Sequence, residues 1–267
     1  MRHRQHFGFK TEPFAKDIAT KDLLKLASMI GVKERLDYCL NLGGILAIFG
    51  EVGSGKTTAL RWSLAQYHAS DVKIVSIVAT TGSITELYKQ LSWGLDLAPK
   101  SISRTTLLCE CRAVIKELAT GRKQRVLVCI DEAQLLRRDV LAELHTVMNF
   151  EHDGANYLTM VLCGQPGLLE NLQYRAAAPL ASRVMSKAHI RSLTQVEMEE
   201  YLSHHLRVAG VKTQLFEQGA ISAIQQGSAG GLRRANQLAA GGLVAAAIEG
   251  CVSVTADHIR TAASELI

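Results

Sequence analysis

Residues 45–57 read ILAIFGEVGSGKT, and this stretch decides the fold. Its first part, Ile45–Phe49, is short and wholly apolar, so it predicts a buried strand. The next part, Gly50–Thr57, matches the pattern G-x-x-x-x-G-K-[ST] in full. Two inner glycines, Gly53 and Gly55, permit backbone angles at which successive N–H groups converge on an anion. A strand, a glycine-rich turn and a helix in this order predict a phosphate-binding loop.

The side chains of this loop indicate a nucleoside triphosphate with its metal ion. The positive end of the following helix favours an anion. We expect Lys56 to neutralise the β- and γ-phosphates and the Thr57 hydroxyl to bind Mg²⁺. The predicted cofactors are therefore ATP and Mg²⁺. The predicted cofactor-binding residues of the loop are Gly50, Glu51, Val52, Gly53, Ser54, Gly55, Lys56, Thr57 and Thr58.

Two carboxylates follow a second apolar run. Val126–Ile130 reads VLVCI, and Asp131 and Glu132 come directly after it. A parallel strand that is buried on both faces delivers such residues to the sheet edge where ligands bind. Asp131 would then complete the magnesium shell, and Glu132 would polarise the attacking water. A strand that simply ends in a charged turn is the alternative, and the phosphate loop favours the catalytic interpretation.

Two further polar residues could complete such a site. Gln165 follows the apolar run Leu158–Cys163 and could place the attacking water, or it could only bond to its own turn. Arg183 could reach the triphosphate of a neighbouring subunit, as arginine fingers do. It could equally be a solvated arginine at a helix end, and spacing alone favours that interpretation.

A glycine turn presents two arginines at a predicted helix start. Gly230 and Gly231 precede Arg233 and Arg234. Cations are disfavoured near the positive end of a helix, so a bound phosphate would explain them. Two ordinary surface arginines are the alternative. The histidines form no H-E-x-x-H cluster, and we expect His204–His205 to be solvated.

Strands alternate with helices as far as about residue 191. The predicted strands are Ile45–Phe49, Val72–Val78, Val126–Ile130, Leu158–Cys163 and a short fifth at Ala188–Arg191. The predicted helices are Lys21–Asn41, Thr57–His68, Ile84–Leu95, Thr105–Leu118 and Arg138–Asn149. This alternation implies a parallel sheet covered by helices on both faces, which is a three-layer α/β domain.

The pattern changes after Leu193. Thr194 with Glu197 forms a capping box that opens a helix to about Val208. Three more helices are predicted at Phe216–Gln226, Leu232–Gly250 and Thr255–Leu266. We therefore predict an N-terminal arm at residues 1–22, a nucleotide-binding α/β domain at 23–193 and an all-helical subdomain at 194–267.

Composition narrows the class of protein. The 267 residues carry a net charge of +5, and 48% of them are hydrophobic, as in an ordinary globular protein. The mild basic charge permits nucleic-acid contact without establishing it. Six cysteines form no C-x-x-C pair, so we expect a reducing compartment and no zinc site. No signal peptide or apolar run long enough for a bilayer is present, so we expect a cytoplasmic protein without membrane contact.

The order of these motifs resembles the AAA+ family, and more narrowly the ExeA/GspA-type ATPases. The resemblance covers nearly the whole chain. It rests on the following segments: FGF at 7–9 with EPF at 12–14, GEVGSGKTT at 50–58, IDEAQLL at 130–136, VLCGQPGLLENL at 161–172 and SAGGLRRANQLA at 228–239.

The resemblance implies a role for each matching residue. Lys56 and Thr57 would be Walker A, and Asp131 and Glu132 would be Walker B. The remaining implied roles are sensor one for Gln165, the arginine finger for Arg183, and sensor two for Arg233 or, alternatively, Arg234. The helical subdomain would be a lid, and the N-terminal arm would close over the adenine. Sensor one is more often Asn, Ser or Thr in the family, so a neighbour of Gln165 could hold that role.

The resemblance also implies partners. Short members with an arm such as PFAKDI are similar to transposition-associated ATPases of the Mu B, IstB and TnsC kind. We therefore expect a homo-oligomer, ring or filament, that assembles with ATP on double-stranded DNA and serves a transposase or integrase. No helix-turn-helix or zinc module is evident, so DNA contacts should be non-specific. The candidate contacts are Thr80, Thr81, Ser83, Lys100 and Arg104. The alternative is a regulatory ATPase that acts on a protein partner in secretion or envelope assembly.

Overall fold

A computed structural model describes residues 2–15, 17–99 and 101–266, and these residues form two compact units. We call residues 26–50 and 56–190 the sheet unit. The described residues of 1–25, 51–55 and 191–267 form what we call the helical unit. The predicted division into an arm, an α/β domain and a lid stays a prediction.

The sheet unit is built on a five-stranded parallel sheet. Its strands are β1 Gly44–Phe49, β2 Val72–Val78, β3 Arg125–Asp131, β4 Leu158–Gly164 and β5 Val184–His189. They lie in the order β2-β3-β4-β1-β5 and all neighbours pair in parallel. All seven residues of β4 are buried, as expected for the central strand. The predicted α/β fold with a parallel sheet is therefore confirmed.

The helices formed by the described residues overlap the predicted ones, except for three short helices at Arg2–Phe7, Gly167–Gln173 and Ala178–Ala181, which were not predicted. They are α1 Arg2–Phe7, α2 Ala27–Leu42, α3 Lys56–Leu64, α4 Ile84–Gly94, α5 Arg104–Thr120, α6 Arg138–Leu144, α7 Gly167–Gln173, α8 Ala178–Ala181, α9 Gln195–Val208, α10 Gln218–Ser228, α11 Leu232–Glu249 and α12 Ala256–Ser264. Short 3₁₀ turns connect several of them, including Ala133–Leu135 directly after the Asp131–Glu132 pair.

Four boundaries differ from the prediction by four residues or more, and one of them is the end of α3, which lies at Leu64 and not at His68. The edge strand β5 begins four residues earlier than predicted, because its exposed Met185 and Lys187 dilute the hydrophobic signal. Helix α2 begins at Ala27 and not at Lys21, since Leu26 has extended backbone angles. Helix α6 ends at Leu144 and continues as a 3₁₀ turn over His145–Met148.

Strand β3 shows why the sheet needs helices on both faces. Its apolar residues are at most 2% exposed. Val126, Val128 and Ile130 belong to the core formed with α4, α5 and α6, whereas the alternating Leu127 and Cys129 lie outside that core. The side chains of a strand point alternately to its two faces, so both faces are covered. The three-layer arrangement fixes the ends of the strands, where the polar residues lie.

The helical unit contains α1 and α9–α12. The predicted capping box is confirmed, because the Glu197 N–H donates to Thr194 Oγ1 and the Thr194 N–H donates to Glu197 Oε2 (2.9 Å). Arg191 donates two hydrogen bonds to the same carboxylate, and this is the main cause that lowers the pKa of Glu197 to about 2. None of the helices formed by the described residues has the length and hydrophobicity to span a lipid bilayer.

The prediction that His205 is solvated is wrong. Its side chain stacks on Phe14, with ring centroids 5.1 Å apart, and contacts Tyr201. Only 5% of the residue is exposed, and burial lowers its pKa to about 4, with a smaller contribution from His204. Polar spacing on α9 gave no sign of this, because the stacking partner comes from the distant N-terminal segment.

Candidate nucleotide site

The glycine-rich loop has the backbone that phosphate binding requires. Gly53 and Gly55 have φ angles of 77° and 99°, which side-chain-bearing residues rarely adopt. Within the helical unit this loop contacts the start of α11. A Cβ at Gly53 would lie 3.0 Å from the Cβ of Arg233, and one at Gly55 would lie 2.8 Å from Leu232 Cδ1. Both glycines are therefore needed for conformation and for space.

Lys56 opens helix α3 and is largely enclosed. Only 8% of the residue is exposed, and its Nζ donates to the Gly50 carbonyl at 2.9 Å. The bond holds the ammonium group over the end of the loop that leaves β1. A cation at a helix N-terminus attracts an anion strongly, because the backbone N–H groups there add partial positive charge.

The oxygen ligands expected for a magnesium ion are brought together. β3 ends at Asp131, and Thr57 Oγ1 donates to Asp131 Oδ2 at 2.7 Å. These residues are 74 positions apart in the sequence. A hydroxyl and a carboxylate are the hard oxygen ligands that Mg²⁺ prefers. The structure therefore brings the two predicted metal ligands into direct contact, and their role in binding Mg²⁺ stays a prediction.

Glu132 has a left-handed backbone. Its φ and ψ are 54° and 33°, a conformation that is uncommon for residues other than glycine and costs free energy. Its N–H donates to Asp131 Oδ1 at 2.9 Å. This left-handed residue follows the end of β3 at Asp131 and leads into the 3₁₀ turn Ala133–Leu135.

Gln134 is a residue of this edge that the motif analysis did not single out. Its Nε2 donates to Glu132 Oε2 at 2.6 Å, and its Oε1 accepts from the Gln165 N–H at 3.0 Å. In the sequence it is a polar residue in the middle of the otherwise apolar turn Ala133–Leu135, and nothing there indicates its bond to Gln165.

Gln165 lies directly after the carboxyl end of β4, on the side of the sheet where Asp131 lies. It follows Gly164, the last residue of β4, and is half-buried. Because β4 lies between β3 and β1, its end adjoins the end of the strand that bears Asp131. Its assignment as sensor one stays a prediction.

Arg183 lies at the amino ends of the strands, opposite the carboxyl ends that bear Asp131 and Gln165. It precedes β5, and its carbonyl accepts from the Ile45 N–H at 2.9 Å, near the start of β1. The strand rises about 13 Å from there to Phe49, at ~3.3 Å per residue. The guanidinium donates to both Asp153 oxygens at 2.7 Å and is not freely solvated. Within the sheet unit, Arg183 therefore lies beside the start of β1, whereas Gly50 follows the other end of that strand.

Arg233 meets the glycine loop through its backbone. Gly231 is the N-cap of α11, and the N–H of Arg233 donates to the Gly53 carbonyl at 3.2 Å. Its side chain is exposed, and that of Arg234 is half-buried. The contact ties the arginine turn to the phosphate loop, and the sensor-two assignment stays a prediction.

Two cysteines of the central strands lie near Asp131. Burial is the main cause that raises the pKa of the Cys129 and Cys163 thiols, and the Asp131 carboxylate adds to it. They stay protonated and behave as small apolar side chains, so thiolate chemistry plays no part at this edge.

A second group of potential metal ligands lies in the helical unit. Glu249, Cys251 and His258 hold their ligand atoms within 4.8 Å of one another. However, His258 Nδ1 accepts from the Thr255 N–H at 2.9 Å, so a neutral ring carries its proton on Nε2, which faces Glu249 Oε2 at 3.1 Å. The His258 ring therefore has no lone pair left for a metal. We interpret the group as the N-terminal cap of α12.

Several residues proposed to contact DNA already have partners in the chain. Ser83 caps α4 by accepting from the Glu86 N–H, and Arg104 pairs with Glu143. Thr80 and Thr81 are exposed, and Thr80 accepts from the Gly82 N–H. Lys100 lies outside the described residues. A DNA contact by Ser83 or Arg104 would have to compete with these bonds.

The donor set fits a bound triphosphate. The Ser54 hydroxyl is buried and has no hydrogen-bond partner among the described residues. Such an orphaned donor is unfavourable unless a ligand satisfies it. Together with the glycine backbone on either side of it, this hydroxyl suits phosphate oxygens.

Comparison with known proteins is consistent with this site. Residues 40–172 match the family model described as AAA domain. The chain is also 29% identical to the general secretion pathway protein A of Aeromonas hydrophila over 267 residues, which is 99% of this chain and 48% of that protein. The chain thus spans about half the length of this relative.

Solved structures share the fold. Cdc6p from Pyrobaculum aerophilum superposes with a TM-score of 0.74 at 18% identity, covering 95% of this chain and 70% of that one. The Aeropyrum pernix ORC1 protein in complex with DNA gives 0.71 at 17% identity, covering 97% and 70%. At these identities the likeness concerns the fold alone.

Proposed function

We propose that this protein binds Mg-ATP and hydrolyses it, because residues 40–172 match the AAA domain family model and the sheet unit has the parallel fold shared with Cdc6p. The observation that carries the proposal is the 2.7 Å bond between Thr57 and Asp131. It joins the end of the phosphate loop to the end of β3, as a shared magnesium site demands. The identity of the nucleotide as ATP rests on the family.

The residues of the chain would promote hydrolysis mainly by positioning the reacting groups and by stabilising negative charge. Mg²⁺ would neutralise charge on the β- and γ-phosphates, held by Thr57 and Asp131. Lys56 and the loop N–H groups would bind the same phosphates. Glu132 would accept a proton from water as its oxygen attacks the γ-phosphorus and the bond to the ADP oxygen breaks. Gln165 is proposed to help place that water.

Turnover with a matched pair of variants tests the proposal. Glu132→Gln should bind an ATP analogue like the original chain and reduce steady-state phosphate release by roughly 100-fold or more, the size expected for loss of a general base. Glu170→Gln, an exposed residue on α7, is the control and should change neither. Full turnover by Glu132→Gln in a preparation free of other ATPases would exclude the assignment.

We further propose that the protein works as a homo-oligomer, ring or filament. Arg183 lies at the amino edge of the sheet, where its own phosphate loop is out of reach. An arginine there can stabilise the transferring phosphoryl group of a neighbour. Its ion pair with Asp153 would open, or pivot, when a neighbour docks.

A protein partner is the biological role that the comparisons favour. The sequence similarity to general secretion pathway protein A supports a regulatory ATPase of that kind, acting on a partner in secretion or envelope assembly. Since the chain spans only 48% of that relative, the activity of the whole relative does not carry over automatically. The aligned part includes the phosphate loop and the Asp131–Glu132 pair of this chain, which supports the proposal for this part alone.

ATP-dependent assembly on DNA is the second candidate. Its support is the fold shared with an ORC1 protein that was solved in complex with DNA. A role beside a transposase or integrase has no support from the three relatives named above. Co-sedimentation with two unrelated duplexes, at several salt concentrations, with ATP analogue or with ADP, separates the candidates. DNA assembly demands binding that needs the ATP analogue and weakens steeply with salt. Equally weak binding in both nucleotide states leaves the protein partner.

A further inference from the structure

One glutamine joins the ends of two neighbouring strands. Gln134 lies in the 3₁₀ turn after β3, and its side chain spans from Glu132 to the backbone of Gln165, which follows β4. Both ends of its amide are used. Nε2 donates to the carboxylate at 2.6 Å, and Oε1 accepts from the N–H at 3.0 Å. Turning the amide over would set oxygen against oxygen and N–H against N–H, so its orientation is determined.

The surrounding backbone leaves room for this amide. A Cβ at Gly164 would lie 2.6 Å from Gln134 Oε1, and 3.1 Å from the Gln134 backbone nitrogen. Any larger residue at Gly164 would push the amide away. The left-handed backbone of Glu132 turns its carboxylate back toward the same amide, two residues further along the chain. The left-handed backbone of Glu132 and the absence of a side chain at Gly164 thus both favour the hydrogen bonds of the Gln134 amide.

We propose that Gln134 is a positioning residue for Glu132, and that it sets where the carboxylate meets the attacking water. The inference rests on the proposed ATPase function. The Gln134–Glu132 hydrogen bond fixes one carboxylate oxygen, Oε2, and leaves Oε1 to accept the proton. The Gln134–Gln165 bond ties that geometry to the end of β4, so a movement of the Gln165 loop is passed to Glu132. The amide acts through Glu132 and does not itself touch the reacting atoms.

Gln134→Leu keeps the size of the side chain and removes both hydrogen bonds. We expect kcat to fall by roughly 100-fold, because a displacement of about 1 Å of a catalytic group can cost that much. The Kd for an ATP analogue should stay within about twofold and the Tm within about two degrees, since neither phosphate nor metal ligands are altered. Gln173→Leu, an exposed glutamine on α7, is the matched control and should match the original chain throughout.

Gln134→Glu separates the two hydrogen bonds. It keeps an acceptor for the Gln165 N–H but replaces the donor to Glu132 with a carboxylate. If the bond to Glu132 matters, kcat falls at neutral pH at least as far as in Gln134→Leu. Adding Gln134→Leu to Glu132→Gln should lower the residual single-turnover rate no further, because residues that act as a unit are not additive.

Three results would overturn the inference. The first is a kcat within twofold of the original chain in Gln134→Leu or in Gln134→Glu. The second is a Tm or ATP-analogue affinity that falls together with kcat, which would show a structural role. The third is a further loss of rate in the Glu132→Gln background. If the original chain itself hydrolyses no ATP, the proposed function fails and this inference with it, whereas an active original chain with an unaffected Gln134→Leu overturns the inference alone.

Discussion

The two units use their polar side chains in opposite ways. In the sheet unit, Asp131 and Glu132 lie at a strand end, half-buried, within reach of a ligand. In the helical unit, His205 and His258 are 5% and 3% exposed, and they stack on an aromatic ring or cap a helix. The partly exposed carboxylates of the sheet unit stay available for chemistry. The buried histidines of the helical unit instead use their polar atoms and rings in contacts that stabilise the packing of the helices.

This contrast makes a testable distinction between function and stability. Changes to polar residues of the sheet edge should alter nucleotide binding and turnover while the protein stays folded. Changes to the buried histidines should alter the free energy of unfolding. Arg233 belongs to the helical unit, yet its side chain is exposed and its backbone bonds to the phosphate loop. It therefore tests whether a residue of the helical unit can affect nucleotide binding.

The largest expected effect is that of Lys56→Ala. It removes the cation that faces two phosphates, so ATP binding should be lost while the Tm of the protein without nucleotide barely changes. Isothermal titration calorimetry with an ATP analogue measures this loss of binding. Lys187→Ala, an exposed lysine on β5, should bind normally. Normal ATP affinity in Lys56→Ala would remove the basis for a nucleotide site at this edge.

Arg183→Ala should bind ATP but turn it over on the order of 10³-fold more slowly, the loss typical of an arginine finger. Mixing it with Lys56→Ala protein should restore part of the activity, since each variant supplies what the other lacks at a shared site. Arg125→Ala, which alters another arginine at the amino edge that bonds to Asn41, is the control and should keep full activity. Absence of rescue at every mixing ratio argues against a shared site.

His205 should make the helical unit sensitive to acid. Its pKa in the folded protein is about 4, below the ordinary 6.5, so the unfolded chain binds more protons between these values. Stability is then full above about pH 6.5 and falls by on the order of 3 kcal/mol as pH drops to about 4. Denaturant unfolding followed by circular dichroism measures this slope. His205→Phe keeps a ring against Phe14 and should flatten it, whereas His68→Gln, at an exposed position, should not.

The smallest expected effect is that of Arg233→Ala. The variant keeps the backbone N–H that bonds to Gly53, so the loop should stay in place. If the guanidinium senses the γ-phosphate, the ratio of ATP to ADP affinities should narrow by roughly fivefold, a typical coupling. Comparison with Arg234→Ala assigns the role. An unchanged ratio in both variants would confine nucleotide sensing to the sheet unit.

Much of the fold could be predicted because buried parallel strands have an unmistakable sequence. β1, β2, β3 and β4 are almost continuous runs of apolar residues, and their predicted ends were correct to within one residue. β5 was misplaced because its first four residues include Ser186 and Lys187 and are at most half-buried. The other edge strand, β2, was predicted because most of its residues are β-branched.

The site was predictable where the chemistry depends on adjacent residues. The spacing of Lys56 and Thr57 in the loop, and the Asp131–Glu132 pair, place Thr57 and Asp131 in contact once the strands are parallel. Gln134 and the Arg183–Asp153 pair were not predictable, because each depends on how segments far apart in the sequence meet. The same holds for Phe14 against His205.

The helical unit is assembled from three separate stretches of the chain, and this bears on how the protein is made. Residues 51–55, which form the centre of the phosphate loop, group with residues 191–267 and not with the sheet unit. His6 bonds to the carbonyl of Cys251, 245 residues later. The ribosome synthesises the sheet unit before α11, and contacts between distant segments form last. We therefore expect nascent chains stalled before residue 232 to hold a folded sheet but an incomplete phosphate loop, so that nucleotide is first retained only when synthesis is nearly over. Pull-down of such stalled chains on immobilised ATP would show it.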